Sequence, residues 1–116
     1  TGVQTCALPI FRLPDDRVLL TYGFRDKPYG IRGRVIDAEC TNVCNALEFV
    51  IRDDGGSTDL GYPWPIAFPD GRVLLTYYFN RPGDVPTHWP VSQDSNDHGT
   101  TAAGGIRHIA ATWLKV

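Results

Sequence analysis

Cysteine side chains are the first in this sequence whose spacing could support metal or disulfide chemistry. Cys40 and Cys44 form a C-x3-C pair with no second pair and no histidine nearby in sequence, and Cys6 is distant from both. Tetrahedral zinc sites draw their ligands from two such pairs, so zinc binding is not expected. A disulfide between Cys40 and Cys44 in an oxidising compartment and two free thiols both remain open.

The polar loop 82–104 carries the other candidate metal ligands. His88, Asp94, Asp97 and His98 are dispersed among prolines, glycines and serines. Their spacing does not match the EF-hand pattern of oxygen ligands. We therefore expect no metal and no other cofactor, and we interpret the segment as a surface loop inserted into the second half of the chain.

The segment Arg52–Asp59, Arg-Asp-Asp-Gly-Gly-Ser-Thr-Asp, combines acidic side chains with glycines. In a turn of this kind an aspartate accepts backbone N–H groups across the turn and a glycine adopts positive φ. Asp54, Gly56 and Thr58 are therefore predicted to have a structural role and not a catalytic one.

An internal repeat organises the chain around these segments. Pro14–Tyr22 recurs at Pro69–Tyr77 with one change, Asp16 against Gly71. A Gly-Ile-Arg triplet follows in both copies, ending at Arg32 and at Arg107, and the inserted loop makes the second unit longer. Repeats of this length indicate units that bury their apolar faces against one another.

Each unit is predicted to be a meander of antiparallel strands, so the fold class is all-β. Pro-Asp-Asp or Pro-Asp-Gly supplies a tight turn. Arg-Val-Leu-Leu-Thr-Tyr then forms a strand whose nearly continuous apolar character indicates cover on both faces. No segment combines helical periodicity with caps. Further strands are expected near Gly33–Ile36, Leu47–Arg52, Trp64–Phe68 and His108–Leu114.

Composition argues against several classes of function. The formal net charge is -2 with acids and bases interspersed, which argues against a nucleic-acid partner. No apolar run approaches the length needed to cross a bilayer, and no signal peptide is recognisable. Residues 1–10, TGVQTCALPI, resemble a translated sequencing adapter, so we expect them to be an artefact and the true N-terminus to be missing.

The motif in Arg52–Asp59 resembles the Asp-box of sialidases, S-x-D-x-G-x-T-W, with Asp54, Gly56 and Thr58 in register. The flanking segments extend the resemblance to bacterial exo-α-sialidases over residues 11–116. Those segments are Thr21–Arg25, Pro28–Arg34, Asp59–Pro63, Phe68–Tyr78 and Ile106–Trp113.

The resemblance implies a truncated six-bladed β-propeller. Two four-stranded blades would span about residues 11–60 and 61–116, and the Asp-box would lie at a blade's outer hairpin. The missing blades of the parent chain would then be partners of this fragment, because a blade packs between two neighbours.

The resemblance also implies a function, the retaining release of terminal sialic acid. Tyr62 falls at the spacing of the family's nucleophilic tyrosine, and Arg25, with Arg32 as second choice, is the candidate for one arginine of its carboxylate-binding triad. Arginine forks bind carboxylates bidentately, and a neutral tyrosine avoids repulsion from the substrate carboxylate. The partner glutamate, the acid/base aspartate and two more arginines would lie upstream, so the fragment is expected to be inactive alone.

Two alternatives remain open from the sequence. The chain could belong to a glycan-binding propeller that cleaves nothing, or to a propeller hydrolase acting on another sugar or ester. In each case the expected partner is a sialylated glycan or another carbohydrate, with no membrane insertion. The resemblance implies a secreted or periplasmic parent protein, and the sequence itself leaves the location unknown.

Overall fold

The computed structural model of the protein describes residues 10–81 and 107–116. These residues form seven β-strands and no helix, which confirms the all-β class. The strands are β1 (Ile10–Arg12), β2 (Val18–Phe24), β3 (Gly30–Ile36), β4 (Glu48–Arg52), β5 (Gly61–Ala67), β6 (Arg72–Phe79) and β7 (His108–Lys115).

The strands form two antiparallel meanders. Sheet 1 has the order β1-β2-β3-β4 and sheet 2 the order β5-β6-β7. Sheet 1 thus has the four strands expected of a unit, whereas sheet 2 has three within the described residues. The chain passes from one sheet to the other through residues 53–60, between β4 and β5.

Two predicted regions lie outside the described residues. These are the adapter-like segment, except for Ile10 at the start of β1, and the inserted loop 82–104. In the part of the chain that is described, no helix is available to cross a bilayer.

The two copies of the repeated segment form the same hairpin turn, one before β2 and one before β6. In each turn an aspartate carboxylate accepts a hydrogen bond from the Nε of the arginine two residues later, at 2.7 Å. The residue between them has positive φ, 72° at Asp16 and 89° at Gly71. The predicted turn is confirmed in both copies, with Asp16 in a conformation that glycine adopts more readily.

The two sheets pack face to face, and their contact forms the core. Leu19 of β2 packs with Val73 of β6, and Ile31 of β3 packs with Leu75 and its neighbours. We call the two surfaces in this contact the inner faces and the surfaces on the opposite sides the outer faces. Residues alternate between the two faces along a strand, so in β6 every second residue, from Val73 to Phe79, is buried in the core.

The repeated strands β2 and β6 use opposite sides for this contact. Leu19 of β2 is fully buried, and its repeat counterpart Leu74 is half-buried on the outer face of sheet 2. Conversely, Leu75 is fully buried and its counterpart Leu20 is half-buried on the outer face of sheet 1. The units are therefore stacked head to tail and not related by a two-fold axis.

The alignment of the third strands differs from the expected one. The sequence repeat matches Arg32 with Arg107, but the ladders place Arg32 opposite Tyr22 and Ala110 opposite Tyr77. The structural counterpart of Arg32 is therefore Ala110. Pairing with the neighbouring strand fixes the register, and a three-residue sequence match does not.

Two blades without their neighbours are expected to leave an outer face open on each sheet, and cover on both faces stays a prediction for a complete ring. In β6 buried and half-buried residues alternate. The outer face of sheet 2 exposes large apolar side chains, with Ile109 at 72% and Trp64 at 63% exposure. Each sheet packs against one other sheet here, and on the outer face of sheet 1 the paired residues Val18 and Ile36 are nevertheless buried.

Candidate functional site

Arg25 lies directly after β2, where sheet 1 approaches the first residues of sheet 2. A Cβ atom at Gly23 would lie 2.9 Å from the Gly61 Cα, so glycine is required there for the strands to approach this closely. The approach places the Arg25 Nη2 atom 3.3 Å from the Leu60 carbonyl, to which it donates. No carboxylate among the described residues pairs with Arg25.

A pocket of about 480 Å³ opens beside Arg25 and is lined also by Ser57, Thr58, Asp59 and Arg107. The Arg107 Nη1 atom donates to the Asp59 carboxylate at 2.8 Å. Among the described lining residues, two guanidinium groups stand against one carboxylate. Such a lining suits a small anionic ligand with hydroxyl groups.

Asn80, which follows β6, holds this wall of the pocket in place. Its side chain is fully buried, its Nδ2 donates to the Asp59 carbonyl at 2.6 Å, and its Oδ1 accepts from the Gly56 N–H at 3.0 Å. Sequence reasoning missed this residue. A polar residue at the end of an apolar strand was the available signal, but the segment that it would contact could not be inferred.

The Asp-box-like motif differs from its predicted arrangement. Asp54 does not bridge backbone N–H groups across the turn; its carboxylate binds the Arg52 guanidinium bidentately, at 2.7 Å and 2.8 Å, and Arg81 at 3.3 Å. Gly56 is not among the described residues with positive φ. Because Arg52 stands at the position of the Asp-box serine, a charged partner takes the place of the turn hydrogen bonds.

The location of that motif is also different. Asp54, Gly56 and Thr58 lie in the connection between the two sheets, not in a hairpin within one of them. Thr58 lines the pocket, whereas Asp54 does not. The Arg52 hydrogen bonds hold the pKa of Asp54 at about 2, below its ordinary value of 3.8. The motif therefore fastens the junction between the sheets through an ion pair.

Tyr62 occupies an irregular part of β5, where the register with β6 shifts. Its φ is 51°, its side chain is 51% exposed, and its ring meets the Tyr78 ring edge to face with centroids 6.3 Å apart. Tyr62 is not in the pocket lining, and no glutamate among the described residues accepts a hydrogen bond from it. The side chain is accessible but lacks the activating partner that a tyrosine nucleophile needs.

Arg32 is not brought to the pocket. It projects from the outer face of sheet 1, where its Nη1 donates to Glu48 at 2.8 Å and its guanidinium stacks 3.4 Å from the Phe24 ring centroid. A substrate carboxylate would have to displace Glu48. Of the two predicted arginines, Arg25 lies at the pocket and has no carboxylate partner among the described residues, whereas Arg32 is away from the pocket and is paired with Glu48.

A tyrosine–glutamate pair does exist, on the outer face of sheet 1 instead of beside Tyr62. The Tyr22 hydroxyl donates to Glu48. Burial, and then the Glu48 hydrogen bond, raise the pKa of Tyr22, and the same hydrogen bond lowers the pKa of Glu48. Tyr22 is thus held as a neutral donor, which is the opposite of an activated nucleophile.

The cysteines and acidic residues show no metal chemistry in the described ranges. Cys40 and Cys44 are both exposed and free in the β3–β4 connection. No group of three histidine, cysteine, aspartate or glutamate side chains within residues 10–81 and 107–116 could hold a metal ion. His88, Asp94, Asp97 and His98 fall outside those ranges.

The backbone of this chain matches that of a protein whose crystal structure is known. The chain is similar to a crystal structure of a protein of unknown function from Dyadobacter fermentans DSM 18053, with 44% identity and a TM-score of 0.74. The match covers 99% of this chain and 26% of that one, so the chain spans about a quarter of that protein's length. No family model and no curated protein matches. The similarity supports the two-sheet arrangement and assigns no activity.

Proposed function

We propose that the chain is two consecutive blades of a sialidase-like β-propeller and that it supplies Arg25 to a site binding the carboxylate of a sugar such as sialic acid. In the complete protein this site would serve retaining hydrolysis with Tyr62 as nucleophile. The observation that carries the proposal is the Arg25 guanidinium, which lies at a pocket without a carboxylate partner among the described residues.

Stacking of the two units supports the propeller arrangement. Propeller blades repeat around a ring, so each blade presents one face forward and the opposite face backward. Leu19 and Leu75 occupy such opposite faces of repeat-equivalent strands. A two-fold sandwich would instead bury equivalent residues from both units.

Charge and shape support an anionic sugar as the ligand. Asp59 would repel an anion, but its carboxylate is already paired with Arg107. Arg25 can then form charge-assisted hydrogen bonds to a carboxylate, and the exposed Thr58 hydroxyl and Ser57 can face the sugar hydroxyls. The nearby Tyr62 and Tyr78 rings offer an apolar wall for a pyranose.

The binding proposal is tested by titrating N-acetylneuraminic acid and its methyl ester into the isotopically labelled chain. Amide shifts at residues 57–60 and a shift of the Arg25 side-chain N–H are expected with the acid. The ester should bind about tenfold more weakly, since it cannot form a charge-assisted pair. Arg25→Gln should weaken binding of the acid to a similar degree, whereas Arg17→Gln, in the exposed turn before β2, should leave it unchanged. Equal binding of acid and ester would overturn the proposal.

A non-catalytic glycan-binding propeller is the second candidate, favoured by the absence of a glutamate beside Tyr62 in the described residues. A fluorogenic sialoside tests whether this chain cleaves a sialoside by itself. The purified chain is expected to give no turnover, because no glutamate among the described residues pairs with Tyr62. Measurable hydrolysis that is lost in Tyr62→Phe would show that these 116 residues hold a complete site.

A further inference from the structure

The outer face of sheet 2 has the same chemistry as the inner face of sheet 1. The ladders align Leu74, Thr76, Ile109 and Ala111 of sheet 2 with Leu19, Thr21, Ile31 and Gly33 of sheet 1. Leucine, threonine and isoleucine therefore recur at matching positions, and a small residue occupies the fourth. In sheet 1 these residues are buried against sheet 2, whereas in sheet 2 Ile109 is 72% exposed.

The outer face of sheet 1 corresponds in turn to the inner face of sheet 2. Leu20, Tyr22 and Phe24 align with the buried residues Leu75, Tyr77 and Phe79. Each outer face thus repeats the apolar residues of the β2 or β6 strand from one half of the inter-sheet contact. A surface of this kind is complementary to a copy of itself in a heterologous, head-to-tail arrangement.

We infer that a second copy of this chain docks head to tail, with the outer face of sheet 1 in one copy packing on the outer face of sheet 2 in the next. The inference shares the propeller arrangement with the proposed function but does not depend on sugar binding at Arg25. Repeated docking closes a ring when the rotation per copy divides a full turn. Three copies would provide the six sheets implied by the sialidase resemblance.

Two differences make this contact weaker than the internal one. Tyr78 occupies the position that corresponds to Gly23, so the close backbone approach of Gly23 to Gly61 cannot be repeated between copies. The two arginines Arg32 and Arg34 on the outer face of sheet 1 stand where the inner face of sheet 2 has Ala110 and Thr112. We therefore expect association that depends on concentration, with midpoints of about 10 to 100 μM, and not a permanent oligomer.

Sedimentation velocity of the 116-residue chain over this range tests the inference, with Val50→Lys and Ile109→Lys as matched variants. Val50 lies on the outer face of sheet 1 in the edge strand β4, and Ile109 on the outer face of sheet 2 in the edge strand β7. Both side chains are more than half exposed, at 52% and 72%, so lysine is compatible with the fold of the monomer. Each variant alone should associate at least about tenfold more weakly than the unchanged chain.

An equimolar mixture of the two variants provides the decisive measurement. Each variant keeps one intact outer face, so the mixture should form a complex of two copies that cannot grow further. Three results would overturn the inference: an unchanged chain that stays monomeric throughout, a Val50→Lys variant that still self-associates, or a mixture that stays monomeric. The second result would indicate symmetric pairing of sheet 2 outer faces. Sugar titration of the monomeric variants reports on Arg25 separately, because neither substitution touches the pocket.

Discussion

Strands β2 and β6 are nearly the same sequence in two different positions of the fold. Both follow a Pro-Asp turn with the same aspartate–arginine hydrogen bond at 2.7 Å. They differ in which alternate residues reach the core, Leu19 and Thr21 in β2 against Leu75 and Tyr77 in β6. The surroundings of a strand, and not its sequence, therefore decide which of its two apolar faces is buried.

The two tyrosines at the ends of these segments show the same principle for polar groups. Tyr77 is buried at the inter-sheet contact, where its hydroxyl lies 2.7 Å from Thr112 Oγ1. Tyr22 lies on an outer face and its hydroxyl donates to Glu48. Tyr77 and Tyr22 occupy the same repeat position, yet Tyr77 belongs to the core and Tyr22 to a hydrogen-bonded group with Glu48 on the outer face.

The largest expected effect comes from truncating the repeated leucines. Leu19→Ala and Leu75→Ala should each lower the free energy of unfolding by about 2–5 kcal/mol, because both leave cavities in the inter-sheet core. Their repeat counterparts Leu74→Ala and Leu20→Ala should cost about 1 kcal/mol or less, because those side chains are half-buried on outer faces. Urea unfolding monitored by tryptophan fluorescence measures all four. Equal costs within each pair would contradict head-to-tail stacking.

Much of the fold was predictable because local signals agree with one another. The strands, the two turns and the all-β class follow from apolar segments punctuated by Pro-Asp motifs. The register of β7 was not predictable, since hydrogen bonding to β6 places Ala110 opposite Tyr77, against the sequence match of Arg107 with Arg32.

A smaller effect is expected at the one position where the repeated turns differ. Asp16 holds a φ of 72° that costs an L-residue energy, so Asp16→Gly should stabilise the chain by up to about 1 kcal/mol. Gly71→Ala should destabilise it by about 1 kcal/mol, and Gly71→Asp by less, because aspartate tolerates this conformation better than alanine. No atom lies within 4 Å of a Cβ at Gly71, so the cost there reflects φ alone. Thermal unfolding gives the signs, and a stabilising Gly71→Ala would contradict this account.

Only those residues of the candidate site that lie within a recognisable sequence segment could be predicted. Arg25 and Thr58 were identified from segments that resemble sialidase motifs, and both line the pocket. Asn80 and Glu48 were not identified, because their partners are distant in sequence and only strand pairing brings them together. Sequence reasoning placed the activating glutamate of a tyrosine outside the chain, while the structure pairs a glutamate with a different tyrosine.

The smallest expected effect concerns the junction between the two sheets, where Arg52 lowers the pKa of Asp54 to about 2. A carboxyl whose folded pKa lies below its unfolded value stabilises the fold above that unfolded value. The stabilisation is lost as the pH falls from about 4 through about 2. Since the Asp54 side chain is 42% exposed, solvent screening limits the contribution to about 1 kcal/mol or less.

Asp54→Asn tests this contribution against Asp53→Asn, whose exposed side chain makes no ion pair among the described residues. At pH 7 the Asp54 variant should be less stable than the unchanged chain, and the difference should disappear near pH 2, when the carboxyl of the unchanged chain becomes protonated. The Asp53 variant should be as stable as the unchanged chain at pH 7. The repeated turns provide a second reference, because the Asp15 and Asp70 side chains that bind their arginines are more exposed, at 55% and 52%, so screening is stronger there. A difference at Asp54 that persists unchanged at pH 2 would mean that the asparagine disturbs the junction through packing and not through loss of the ion pair.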